Sequence, residues 1–139
     1  MNRIIEIIQQ KYGEFCGLLP PLEESQYELS EKMLPEDLFE IIRISNGIYE
    51  LMTCPNVNDD KPFVMGHIIF PFEEIRSATE SFSELFGAEG TVFAGNGAGG
   101  YYVIDPAGAI YLYEYTDDGG QYRAENLQEY FTNLNYEPI

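Results

Sequence analysis

Residues 34–47 read LPEDLFEIIRISNG and predict a helix whose two ends are both specified by the sequence. Pro35 suits the first helical position, because its missing N–H costs nothing there. The acidic pair Glu36-Asp37 lies in the first turn and Arg43 lies near the other end, where the helix dipole favours each charge. Asn46-Gly47 predicts a left-handed stop after the last turn. The inward face is expected to carry Leu38, Ile41, Ile42 and Ser45, with Phe39 beside them.

Other helices are predicted on both sides of this one. Three segments have helical periodicity: Asn2 to Tyr12, Pro71 to Phe86 and Ala124 to Leu134. Asn2 supplies the cap of the first helix and Gly87 the stop of the second. The acidic segment Glu23 to Met33 is ambiguous, with a short helix as one interpretation. The residues expected to face inward in the helix after Pro71 are Phe72, Ile75, Ala78 or Thr79, Phe82, Leu85 and Phe86.

Five short runs of β-branched and aromatic residues predict strands, with Asp, Gly and Pro between them predicting turns. These runs are Ile48 to Thr53, His67 to Phe70, Thr91 to Ala94, Tyr101 to Ile104 and Ala109 to Tyr115. Helices at both ends of such a region predict one α+β domain over residues 1–139. We expect a mainly antiparallel or mixed sheet of about five to six strands, packed with the N-terminal, central and C-terminal helices. The predicted core residues are Ile5, Ile8, Leu38, Ile42, Phe70, Ile75, Phe82, Val92, Ile104, Leu112 and Phe131.

The charge of the chain narrows the classes of partner. It carries 24 Asp and Glu against 7 Lys and Arg, a formal net charge of -17 on 139 residues. Such a charge repels the phosphates of nucleic acid and the headgroups of anionic membranes, so neither is an expected partner. A cationic protein, a metal ion, or solubility alone remain as reasons for it.

The cysteines and the N-terminal residues bear on the compartment. Cys16 and Cys54 form no C-x-x-C pair, and Glu6 interrupts the apolar start of the chain, so no secretory segment is predicted. No run approaches the ~20 apolar residues that a membrane span needs. These features predict a soluble, cytoplasmic protein with reduced thiols. We also expect a monomer or a weak homodimer.

One glycine-rich loop superficially suggests a nucleotide site. Residues 95–100 read GNGAGG and fit the G-x-G-x-x-G pattern. In dinucleotide sites a helix follows the glycines and faces the pyrophosphate, whereas here the predicted strand Tyr101 to Ile104 follows. We therefore expect a loop that joins two strands, with no cofactor.

The sequence specifies no catalytic or metal site. His67 is the single histidine, and neither a nucleophile motif nor a metal-ligand spacing accompanies it, so a structural or surface role is predicted. The prediction is a protein that is not an enzyme and binds no metal. A carboxylate-based hydrolase whose site the sequence does not mark stays as the third alternative.

Acidic residues line one stripe of the helix after Pro71. Glu73, Ser77, Glu80 and Glu84 are spaced by four, three and four residues, which returns to the same side of a helix. Arg76 partly offsets the charge, yet Glu80 and Glu84 form a like-charge pair. The stripe predicts a surface for a basic partner, with a merely solvated face as the alternative. The candidate partner-binding residues are Asp59 and Asp60 in a polar loop, Glu73, Glu80 and Glu84 on the helix, and Asp117 and Asp118 at a hairpin tip.

The L-P-x-D helix ending in Asn46-Gly47 resembles that of the SUKH superfamily, which includes fungal cell-wall-assembly regulators and bacterial toxin-immunity proteins. Three further features agree in order: Phe70-Pro71 before a helix, Val92-Phe93-Ala94 with a glycine-rich turn before Tyr101 to Asp105, and the closing segment Asn126 to Phe131. The resemblance covers about residues 22–134. The chain departs from it at Ala98-Gly99, where many relatives have an acidic residue.

The resemblance implies a non-catalytic α+β domain that binds and neutralises a toxin, often a nuclease. The charge fits independently, because a nuclease carries a basic cleft for phosphate that an acidic protein can occupy. The expected function is that of an immunity protein with a cognate basic toxin as partner. An intracellular scaffold or regulator of the same fold, with no toxin partner, is the alternative.

Overall fold

The structure is a computed structural model that describes residues 2–52, 63–115 and 119–135. Within these ranges the chain forms five α-helices and seven β-strands, which confirms the α+β class. The helices are α1 (Arg3–Tyr12), α2 (Tyr27–Met33), α3 (Glu36–Ile44), α4 (Phe72–Phe86) and α5 (Leu127–Thr132). The strands are β1 (Cys16–Leu18), β2 (Ile48–Met52), β3 (Phe63–Ile69), β4 (Thr91–Gly95), β5 (Tyr101–Ile104), β6 (Ile110–Tyr113) and β7 (Gln121–Ala124).

The strands form two antiparallel sheets, ordered β1-β2-β3 and β4-β5-β6-β7. The Phe70 N–H donates to the Phe93 carbonyl at 2.8 Å, so the chain meets β4 directly after β3 and links the two sheets. The sequence pattern predicts neither β1 nor β7. These strands have three and four residues, too few to show alternation, and strands this short depend on pairing with a neighbour.

Most helix ends follow the sequence signals. The Asn2 side chain accepts from the Ile4 N–H at 2.8 Å, which confirms it as the cap of α1. Gly87 closes α4 with a φ of +63°, in the left-handed region that glycine adopts without strain. Helix α5 is shorter than the predicted segment, because Ala124 belongs to β7 and the helix begins only after its cap, Asn126.

The core has a larger and a smaller part. In the larger cluster, buried side chains of α1, α3 and α5 pack with residues of β4, β5, β6 and β7 such as Phe93, Ile104 and Ile110. In the smaller cluster, Phe82 of α4 packs on Val92 and Val103. Since Val103 and Ile104 are neighbours on one strand, the two clusters lie on opposite faces of the four-stranded sheet.

Two residues that the sequence pattern places in the core are less buried than predicted. Ten of the eleven predicted core residues are buried, but Phe70 is only half-buried, at the junction between the sheets where it packs against both clusters. Leu85 was expected to face inward and is 52% exposed. Phe86 takes the inward position at the end of α4 instead, since its ring lies 5.3 Å from that of Tyr113.

Helix α3, which the sequence specifies most clearly, begins and ends at residues other than those predicted. Pro35 precedes the helix as its cap residue, and the helix ends at Ile44 with an extended Ser45, so Asn46-Gly47 does not form the left-handed stop. Instead the Asn46 side chain accepts from the Phe72 N–H at 2.8 Å and caps α4. The Asn46 N–H also donates to the Pro20 carbonyl at 2.8 Å. Asn46 therefore joins the end of α3 to the start of α4.

Asn46→Ala is expected to lower the free energy of unfolding by about 1–2 kcal/mol, because the Phe72 N–H loses its acceptor at a helix start. Asn46→Asp keeps a side-chain oxygen in that position and should retain nearly all of the stability. Urea unfolding of the two variants and the wild type measures the difference. Equal midpoints for Asn46→Ala and the wild type would contradict the capping role.

Candidate functional site

Helix α4 carries the predicted acidic stripe on its solvent side. Phe72, Ile75 and Phe82 are buried beneath the helix. Glu73, Glu80 and Glu84 are all exposed, and the 3.6-residue period places them opposite the buried residues. The structure thus brings together on one surface the three candidates that it describes. We call this surface, defined by Glu73, Glu80 and Glu84, the acidic face of α4.

The three glutamates differ in their partners. Arg76 lies 3.4 Å from Glu73, and its guanidinium also lies over the Phe72 ring at 5.7 Å. The ion pairs of the described residues include neither Glu80 nor Glu84. The part of the acidic face with uncompensated charge is therefore its C-terminal half.

The other four candidates cannot be placed with these three. Asp59 and Asp60 of the polar loop, and Asp117 and Asp118 of the hairpin tip, lie outside the described residues. Their membership of a common surface stays a prediction.

A cleft of about 480 Å³ opens beside the start of α4. Its apolar lining includes Pro20, Pro21 and Phe72, and carboxylates are contributed by Glu23 and Glu73. The cleft forms because Asn46 holds the segment at Pro20 and the start of α4 together through its backbone and side-chain hydrogen bonds. Apolar walls with acidic groups suit a partner that brings a basic side chain with an aliphatic stem.

Sequence reasoning missed an aromatic surface on the four-stranded sheet. Tyr101 pairs with Tyr113 across β5 and β6, and Tyr111 pairs with Tyr122 across β6 and β7. We call these four residues the tyrosine face. The alternation Tyr111-Leu112-Tyr113-Glu114-Tyr115 carries the signal in the sequence, because alternate residues of a strand lie on the same side.

Helix α4 covers part of the tyrosine face. The Phe82 ring lies 5.9 Å from that of Tyr101 and 4.7 Å from that of Tyr113. Tyr111 and Tyr122 pack against each other instead, edge to face at 5.8 Å, and Tyr122 is 56% exposed. The face therefore runs from beneath α4 out to the solvent at β7.

The backbone and nearby charges shape the exposed end of the tyrosine face. Gly120 passes close to the rings of both halves, since a Cβ there would stand 3.1 Å from Tyr111 Cδ2 and 2.7 Å from Tyr113 Cε1. Partial burial of the ring, followed by the negative charges of Glu129 and Glu125, raises the pKa of Tyr122 above its usual value. The exposed tyrosine thus lies in a negative electrostatic environment.

The glycine-rich loop joins β4 directly to β5, as predicted. The Asn96 side chain accepts from the backbone N–H groups of Ala98 and Gly100 at 2.9 and 2.8 Å, which closes the loop on itself. A strand rather than a helix follows, so the backbone presents no helix start to a phosphate.

His67 lies at the surface of β3. Its Nδ1 is 3.5 Å from the Glu74 carboxylate, and its ring packs edge to face on Phe70 at 6.0 Å. Among the described residues, no group of three or more His, Cys, Asp and Glu side chains is arranged to hold a metal ion. No helix in the described ranges is long and apolar enough to cross a membrane.

Comparison of the chain with protein-family models finds no matching family, and a search of curated proteins finds no match.

Proposed function

We propose that this chain is a non-catalytic binding protein of the SUKH type that neutralises a basic protein toxin in the cytoplasm. The observation that carries the proposal is the C-terminal half of the acidic face. Glu80 and Glu84 are exposed there one helical turn apart, outside every ion pair of the described residues. The resemblance of residues 22–134 to the SUKH superfamily supplies the functional class.

The contacts that fix α4 to the rest of the fold support a binding role for these carboxylates. The Asn46 side chain caps the start of the helix, and the Thr79 hydroxyl accepts from the Val92 N–H at 3.0 Å, which ties the middle of the helix to β4. Phe82 anchors the C-terminal half in the smaller core cluster. A charged surface held on a rigid helix loses little conformational entropy when it binds, so more of its interaction energy appears as affinity.

A toxin with a nuclease activity has the complementary chemistry. Its cleft must present Lys and Arg to phosphate groups, and carboxylates can occupy the same positions. The chain's charge of -17 steers such a partner toward it over a distance set by the ionic strength, and it repels competing nucleic acid. Occupation of the toxin's cleft would exclude the toxin's substrate, and this chain would need to catalyse no reaction.

The double variant Glu80→Lys/Glu84→Lys is expected to slow association with the toxin about tenfold at low ionic strength and to flatten its salt dependence. The partner to test first is the product of the adjacent gene, identified by pull-down or by rescue of growth in co-expression. Surface plasmon resonance at several salt concentrations then gives the association rate of each variant.

Glu14→Lys/Glu31→Lys is the matched control, because both glutamates are exposed and neither lies on α4. Each Glu→Lys change adds two units of charge, so both double variants move the net charge from -17 to -13. We expect the control to lose much less of the association rate. Equal losses would show that total charge rather than the acidic face directs binding. No loss in either variant would contradict the proposal that these carboxylates take the place of phosphate groups in the toxin's cleft.

A further inference from the structure

The tyrosine face continues past the helix that covers its first half. Tyr101 and Tyr113 pack under Phe82 and Phe86 at ring distances of 4.7 to 6.2 Å. Tyr111 and Tyr122 form the next pair across the sheet, and no ring of α4 reaches them among the described residues. An aromatic sheet surface is thus partly covered and partly open to solvent.

The open half has the composition of a binding surface. Tyrosine is enriched in the well-packed centres of protein interfaces, because its ring gives a large contact area and few rotatable bonds must be fixed. Packing within the chain explains why tyrosines stand at positions 101 and 113, because Tyr101 and Tyr113 pack against the smaller core cluster that contains Phe82. It does not explain Tyr122, which is more than half exposed at the edge of the sheet.

Carboxylates stand near the open half. Desolvation of the phenol, followed by the negative charges of Glu129 and Glu125, raises the pKa of Tyr122. Glu129 is held in place at the start of α5, where its carboxylate accepts from the Glu125 N–H at 3.3 Å and its own N–H donates to Asn126 at 2.8 Å. The cation on the same strand, Arg123, donates to the Gln121 side chain at 3.0 Å.

We propose that the exposed half of the tyrosine face docks an arginine side chain of a basic protein partner, with the guanidinium stacked on the Tyr122 ring beside Tyr111 and its charge balanced by Glu125 and Glu129. This inference rests on the proposed function, in that it takes the partner to be a basic protein. It adds the side chain that is recognised and a surface separate from the acidic face of α4.

Charge complementarity selects this occupant over others. A second copy of the chain also has a net charge of -17, so a negative surface would repel it. Arginine suits the site better than lysine, because its guanidinium is planar, weakly hydrated and able to stack on a ring while it hydrogen-bonds a carboxylate. The chain contains an internal example, since the Arg43 guanidinium lies 5.4 Å from the centre of the Tyr27 ring while it contacts the Glu40 carboxylate at 3.5 Å.

The test compares two peptides of equal charge, octa-arginine and octa-lysine, titrated into the full chain by isothermal calorimetry. We expect octa-arginine to bind at least about fivefold more tightly. Tyr111→Leu/Tyr122→Leu should abolish this preference while leaving the affinity for octa-lysine nearly unchanged. Tyr115→Leu is the matched control, because Tyr115 is 75% exposed and takes part in none of the ring contacts among the described residues, and it should keep the preference.

Equal affinities of the wild type for the two peptides would overturn the proposal, and so would a preference that survives in the double variant. If the double variant does not fold, the ring resonances of Tyr111 and Tyr122 in the wild type decide instead. They should shift with octa-arginine and not with octa-lysine, and the reverse overturns the proposal.

The outcome is separable from that of the proposed function. Glu80→Lys/Glu84→Lys leaves the tyrosine face intact, so the ratio of the two peptide affinities should persist in that variant. An arginine preference without any toxin partner would defeat the proposed function alone. A toxin captured normally by Tyr111→Leu/Tyr122→Leu would defeat the docking of arginine alone.

Discussion

Phe82→Ala is expected to lower the free energy of unfolding by about 3–5 kcal/mol. Phe82 is fully buried and is the α4 residue at the centre of the smaller core cluster, against Val92 and Val103. Its ring also packs edge to face on Tyr113 at 4.7 Å. Truncation would leave a cavity between α4 and the sheet that these β-branched neighbours cannot fill by rotation. Urea or thermal unfolding followed by circular dichroism measures the loss.

Leu85→Ala provides the matched control on the same helix. Leu85 lies three residues further on and is 52% exposed, so its truncation should change the stability by no more than about 0.5 kcal/mol. The pair distinguishes the observed orientation of α4 from the one that the sequence pattern predicts, in which both side chains face inward. Similar losses in the two variants would contradict the observed burial.

Ile42→Ala is expected to cost about 2–5 kcal/mol, because Ile42 is fully buried in the larger core cluster. Helix α3 also fixes a neighbouring segment at this residue, since the Leu22 N–H donates to the Ile42 carbonyl at 3.2 Å. A shift of α3 into the cavity would therefore disturb the chain at Leu22 as well as the core. Chemical denaturation gives the change in midpoint and in slope.

Ile44→Ala removes the same atoms from the same helix at a position that is 43% exposed. We expect a change of about 0.5 kcal/mol or less. A large loss for Ile44→Ala, or a wild-type midpoint for Ile42→Ala, would mean that the buried side of α3 is not the one described.

The two proposed binding surfaces are related through α4. The helix presents Glu80 and Glu84 to solvent on one side and packs Phe82 and Phe86 on Tyr101 and Tyr113 on the other. In the proposed mechanism the acidic face attracts a basic partner over a distance, whereas stacking on tyrosine acts only in contact. Reversal of the glutamates is therefore expected to change mainly the association rate, and removal of the tyrosines mainly the dissociation rate.

Local periodicity was sufficient to predict α1, α3 and α4 and the acidic face of α4, although it placed Leu85 on the wrong side of that helix. The neighbours of a helical residue are three and four positions away, so the sequence near Glu80 already places it beside Glu84 and opposite the buried Ile75. The same reasoning identified Asn2 as the cap of α1 and Gly87 as the end of α4, because both act on their own helix. The predicted acidic face needed no information from outside α4.

What the sequence left undecided depends on which distant elements meet. Asn46 has the composition of a local stop signal, yet its side chain caps a helix that begins 26 residues later, and only the packing of α3 beside α4 assigns that role. Strands β1 and β7 are too short to be recognised alone and exist through their pairing with β2 and β6. The tyrosine face arises from the register that places Tyr111 opposite Tyr122 and Tyr101 opposite Tyr113. Alternation puts a tyrosine on one side of its own strand, but only the register between strands, and the part of the sheet that α4 leaves open, decide which tyrosines form a surface.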